Sequence, residues 1–236
     1  DEGRSEEILP PGCSVTYDLE AKEILRGLLA PTAGRDALVA YYTNFRERTG
    51  ARPTATEAYN DGYDPKAARA GYGSWNQFVR AMGDLAGPAN DAEMRLRSFL
   101  TQLEITPVTK SYKLLVLLAM IAEDAFPGSL PMETLTARVG IIARRSAVLR
   151  TELAEVLENA GQLRELLETS AIDAWTGGRG TGGESFFKYD GVEFSSTIAL
   201  PNEARASGAD LVREIAEWRL ANYLRRTGPA GGAPRY

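Results

Sequence analysis

The sequence predicts a mainly α-helical protein made of small helix-turn-helix units, with one β-hairpin near its C-terminal end. Three observations predict this. Capping signals open three helices between residues 54 and 75. Apolar residues recur at helical spacing through most of the remaining chain. One Asp-Gly pair, Asp190-Gly191, separates two short runs rich in aromatic and β-branched residues, a strong hairpin signal.

Residues 1–33 read as a connecting segment and helix, with Ala21, Ile24, Leu25, Leu28 and Leu29 on one apolar face. Residues 34–86 read as a helix-turn-helix-like domain. Leu38, Tyr41, Tyr42 and Phe45 mark its first helix. Thr54 stands three residues before Glu57, the spacing of a capping box. Asp64-Pro65 supplies an N-cap followed by proline at the first helical position. Ser74 caps a helix carrying Trp75, Phe78, Val79 and Met82, which Gly83 can close.

Asp84 to Asn90 reads as a linker. Residues 91–226 then form a helical domain with winged-helix-like features. Asp91 opens a helix through Leu103, Pro107 ends it, and Lys110 to Glu123 is apolar enough to be buried. Pro127-Gly128 and Pro131 punctuate a turn, and Met132–Val139 and Ile141–Leu157 read as two further helices. The hairpin around Asp190-Gly191 follows, in the manner of a wing. Ala209 to Arg226 closes the domain with Leu211, Ile215 and Trp218 on one side. Residues 227–236, rich in Gly and Pro, are expected to be a disordered tail.

Composition removes several function classes. With no histidine and one cysteine, the chain has no base for a Ser-His-Asp or Cys-His mechanism and no ligand set for zinc. Gly177 to Gly183 superficially suggests a phosphate loop, but Glu184-Ser185 stands where a Walker motif needs Lys and then Ser or Thr. No catalytic residue, metal or cofactor is expected, although carboxylate–metal chemistry is left open. The longest apolar run, Leu114 to Ala122, is too short to span a bilayer. Asp1-Glu2-Gly3-Arg4 does not look like a signal peptide, and a first residue other than Met fits a piece of a longer protein. A cytoplasmic location is expected.

The net charge of −5 is unevenly spread. Residues 1–25 carry seven acids against Arg4 and Lys22, which accounts for all of it. Seven basic and five acidic residues lie between Arg35 and Arg80, and four arginines with no acid between Arg138 and Arg150. Cations placed so can neutralise phosphates even in an acidic chain.

The run Arg52-Pro53-Thr54, a short helix, and then Tyr72-Gly73-Ser74-Trp75-Asn76 resembles the small helix-turn-helix repeats associated with homing endonucleases and bacterial helicases. Leu9-Pro10-Pro11-Gly12-Cys13-Ser14-Val15, Lys110 to Leu115 and Ala174 to Gly178 resemble the C-terminal accessory region of bacterial superfamily-2 (DEAD/DEAH-type) helicases. The resemblance implies a non-catalytic DNA-binding region of an ATP-dependent helicase, with a role in defence against foreign DNA. It makes DNA and the helicase motor domains the partners and the segment Pro65 to Tyr72 the recognition helix. Lys66 and Arg69 would then face phosphate or base edges, with Asn76, Gln77 and Arg80 as backbone contacts and Arg52 a further DNA-binding residue. Arg144 and Arg145 are expected on the third helix of a second such unit, and Arg179 at the base of the hairpin. The alternative from another class is a protein-interaction scaffold docking on a helicase motor or partner subunit.

Overall fold

The computed structural model describes residues 34–177 and 183–228. Helix α1 spans Arg35–Thr49 and ends on Gly50, whose φ of 75° suits glycine. Helix α2, Ala55–Asn60, starts on the predicted capping box: the Thr54 hydroxyl accepts from Glu57 N and the Glu57 carboxylate accepts from Thr54 N. A 3₁₀ turn, Pro65–Ala68, capped by Asp64, runs into one turn of α-helix, α3, Arg69–Tyr72. Helix α4, Trp75–Ala81, begins on the predicted Ser74 cap.

The expected linker is short and engaged. Asp84 accepts from Tyr42 Oη at 2.7 Å and from Arg46. Gly87 then turns the chain into Pro88, the first residue of α5, Pro88–Ile105. Helix α6 is Tyr112–Ala122 and is buried along most of its length, as its near-continuous apolar sequence requires.

Strand β1, Ser129–Pro131, leads into α7, Met132–Arg144. Helices α8, Ala147–Glu152, and α9, Ala160–Leu167, follow. A turn of π-helix, Glu168–Ile172, joins α9 to α10, Asp173–Thr176. The expected hairpin comes next, β2 Phe187–Tyr189 and β3 Glu193–Ser196. Its sheet has a third member: β1 pairs antiparallel with β3 in the order β1-β3-β2, with Leu130 opposite Phe194. The order is thus helix, strand, helices and hairpin, with β1 joining the hairpin in one sheet.

Two expectations are corrected here. No helix break falls at Gly140; α7 runs through it, and Ser146 caps the next helix by accepting from Leu149 N. The last helix, α11, spans Asn202–Thr227, so it starts before Ala209 and takes in the first residue of the expected tail. Residues 229–236 lie outside the described residues.

Helix α11 packs on α5, α6 and α2, joining the N-terminal helices to the rest. Gly208 permits the close approach to α5: a Cβ there would lie 2.4 Å from Leu200 Cδ1 and 3.2 Å from Leu96 Cδ1. One hydrophobic core, anchored by Trp75, Trp175 and Trp218, runs from Leu38 to Tyr223. No helix among the described residues is long and apolar enough to cross a membrane.

Candidate nucleic-acid interface

Most cations of the Arg52–Arg80 motif turn inward, toward buried carboxylates. Arg52 forms a two-pronged pair with Glu214 of α11, which also accepts from Ala55 N and Trp75 Nε1. Arg69 Nε reaches Glu104 of α5 at 3.3 Å, and the same carboxylate accepts from Trp75 N at 2.7 Å. Arg80 pairs with Glu93, a carboxylate shared with Arg97. A carboxylate held away from water requires cation and N–H partners, and these arginines supply them.

This corrects the expected orientation of several residues. Arg52 and Arg80 are engaged in docking the motif onto α11 and α5. Asn76 is 1% exposed, too buried to reach a backbone. Gln77 is spent on the helix start, its N and Nε2 both donating to Ser74 Oγ. The segment expected as a recognition helix, Pro65 to Tyr72, is one 3₁₀ turn and one α turn. Lys66 does face solvent beside Asp64, at 3.6 Å.

Arg144 and Arg145 end α7 and do not lie on a third helix. Arg144 donates to Leu157 O at 2.9 Å and approaches Glu158, whereas Arg145 is exposed with no ion-pair partner among the described residues. Arg179 lies outside the described residues.

A different grouping emerges at the end of α5. Three guanidinium groups converge on alternate carbonyls of the segment 104–108. Arg69 Nη2 donates to Glu104 O at 2.5 Å, Arg219 Nη2 to Thr106 O at 2.6 Å, and Arg226 Nη2 to Val108 O at 2.7 Å. Lys113 Nζ reaches Thr106 Oγ1 at 2.6 Å. Carbonyls left over at a helix C-terminus attract such donors. A carbonyl satisfies a hydrogen bond but does not neutralise a charge. Asp64 and Glu104 are the carboxylates that act on Arg219 here, and Arg226 lies over the ring of Tyr223, which holds Glu152.

Burial dominates the titration of the group, and the neighbouring cations add to it at Arg219 and Lys113. Burial, followed by repulsion from Arg69, brings the Arg219 guanidinium down to about 10. Burial and then the Arg219 charge lower the Lys113 ammonium. Burial pushes the Glu104 carboxyl up to about 7 despite Trp75 N and Arg69 beside it. Cations that repel one another in this way favour an anion that would sit among them.

Sequence reasoning missed Lys113, Arg219 and Arg226. Arg219 and Arg226 fall in the last turns of a helix, where basic residues are ordinary, and Lys113 sits in an otherwise apolar run. The elements that supply the cluster are separated by up to 160 residues, between Lys66 and Arg226, beyond any local pattern.

Among the described residues no group of three or more His, Cys, Asp or Glu side chains could hold a metal ion. No protein-family model, curated protein or solved structure matches the chain.

Proposed function

We propose that this chain is a non-catalytic nucleic-acid-binding region, which grips a DNA phosphate backbone at the corner formed by Lys66, Arg69, Lys113, Arg219 and Arg226. One observation carries the reading: Arg219 and Arg226 hold uncharged carbonyls at 2.6 and 2.7 Å and so retain charge for an outside anion, beside an Arg69 that is shared between a carbonyl and Glu104. Arginine's planar fork has further N–H groups to offer phosphate oxygens. The resemblance of the Arg52–Asn76 stretch and its companions to helicase accessory regions supports a place beside an ATP-driven motor, where holding substrate is useful work for a domain without chemistry of its own.

Anisotropy of labelled duplex and single-stranded DNA across a salt series tests this. Engagement of about four phosphates predicts a log–log salt slope of about −3. A flat or absent response at low salt contradicts the proposal.

One feature favours the scaffold reading. The exposed positions of α9 and the π-turn are Ala160, Gly161, Gln162, Glu165 and Thr169, and the one cation there, Arg164, is committed to Glu168 and the hairpin. A winged-helix face without free cations suits a protein partner. Binding to helicase motor domains that survives charge reversal at the phosphate corner would support that reading.

A further inference from the structure

Beside the cationic corner, and sharing the segment after Thr106 with it, lies a cavity of about 330 Å³. It falls at the lower end of small-molecule sites, about 300–1,000 Å³. Pro107 and Tyr112 form one wall, and Ser170, Ala171 and Ala174 form the other. The second wall is small because the π-turn brings Ser170 and Ala171 to the cavity and Ala174 follows one turn later. Lys110, 3.8 Å from Glu152, and Lys113 also line it.

Lys113 ties the two features together. Its Nζ bonds Thr106 Oγ1, lies 5.5 Å from the centroid of the Trp175 ring and feels the Arg219 charge. Its carbonyl accepts from Trp175 Nε1 at 3.1 Å, fixing the helix start against α10. An apolar slot with hydroxyl groups at hand and cations in its lining matches the chemistry of one nucleotide: a flat base with polar edges, joined to a phosphate.

We infer that this cavity receives an unpaired nucleobase whose phosphate is held by Lys113 and Arg219, so that the chain prefers single-stranded over duplex nucleic acid. The inference rests on the phosphate-binding reading. Paired bases stay in their stack and cannot enter a cavity; a single strand offers them at little cost. The apolar walls and few polar groups recognise a base by its face, without strong preference for its identity.

The test compares a labelled oligothymidylate with an abasic strand of equal length, on the wild-type chain and on Ala174→Leu, which fills the cavity. The wild type is expected to bind the thymidine strand about tenfold more tightly than the abasic one, and the variant to lose that preference while binding the abasic strand unchanged. A strand carrying 5-iododeoxyuridine should cross-link under ultraviolet light to Tyr112 of the wild type, a readout that does not depend on the variant folding. Equal affinity for both strands, or a preference that persists in the variant with Tyr112 unlabelled, overturns the inference while phosphate binding stands. Failure of both strands to bind at low salt overturns the phosphate reading and this one with it.

Discussion

Glu214 Oε1 and Oε2 accept from Arg52 Nη1 and Nη2 at 2.9 and 2.7 Å, across 162 residues of sequence. The same carboxylate accepts from Ala55 N and from the indole of Trp75. It therefore fastens the start of α2, the start of α4 and the middle of α11 at one buried point. Removing it strands a guanidinium, an amide and an indole N–H together. Glu214→Ala should cost about 3–5 kcal/mol, the range for breaking a buried pair. Urea unfolding measures it; a loss below about 1 kcal/mol would show that the pair is incidental.

The Glu104 carboxyl, raised by burial to about 7, gives a pH signature. Its usual value is near 4.5, so the folded state keeps a proton that the unfolded state releases. That contribution is full below 4.5 and is lost as pH rises through about 7, amounting to at most about 3 kcal/mol. Glu104→Gln mimics the protonated acid at every pH. Its stability advantage over the wild type should grow between pH 5 and pH 8 in urea titrations. A gap that stays constant, or shrinks, would show that Arg69 and Trp75 N fully compensate the buried charge.

Much of the local structure was legible in the residues. Thr54 with Glu57, Asp64 with Pro65, and Ser74 each announce a helix start that the structure contains, because a cap is made by residues two or three apart. Asp190-Gly191 announces the hairpin for the same reason, with Gly191 at a φ of 95°. Strand β1 was not legible. Ser129-Leu130-Pro131 has no alternation of its own and becomes a strand by lying along β3. The direction of the arginines was equally hidden: Arg69 meets a carboxylate 35 residues away and Arg80 one 13 residues away. Positive charge in a sequence says that a partner exists, and burial decides whether it is a carboxylate or a ligand.

Close helix contact at Gly208 makes a further demand. The space there is occupied by Leu200 and Leu96, so Gly208→Val must displace Leu200 and crowd Leu96 of α5. A cost of about 1–3 kcal/mol is expected, as for other overpacked sites. A thermal melt indistinguishable from the wild type would mean that the leucines move aside freely.

Arg164 clamps the hairpin to the helical layer, reaching Glu168 Oε1 at 2.8 Å, Tyr189 Oη at 3.2 Å and Gly191 O at 3.0 Å. Arg164→Ala should speed amide hydrogen exchange in β2 and β3 while leaving α5 and α6 protected. Unchanged exchange in the hairpin would assign its order to the pairing of β3 with β1 and to the Phe187–Phe194 ring stack, whose centroids lie 4.9 Å apart.

The central claim is that charge left over at the α5–α11 corner binds a phosphate backbone. The most direct measurement is the affinity of a Lys66→Glu/Arg226→Glu chain for single-stranded and duplex DNA over a salt series. Lys188→Glu on the hairpin serves as the control for net charge; Lys66, Arg226 and Lys188 are all exposed. The account predicts that the double variant loses at least about tenfold in affinity and about two units of salt slope, whereas Lys188→Glu changes neither beyond its single charge. Equal losses in the two proteins, or none in either, would contradict it.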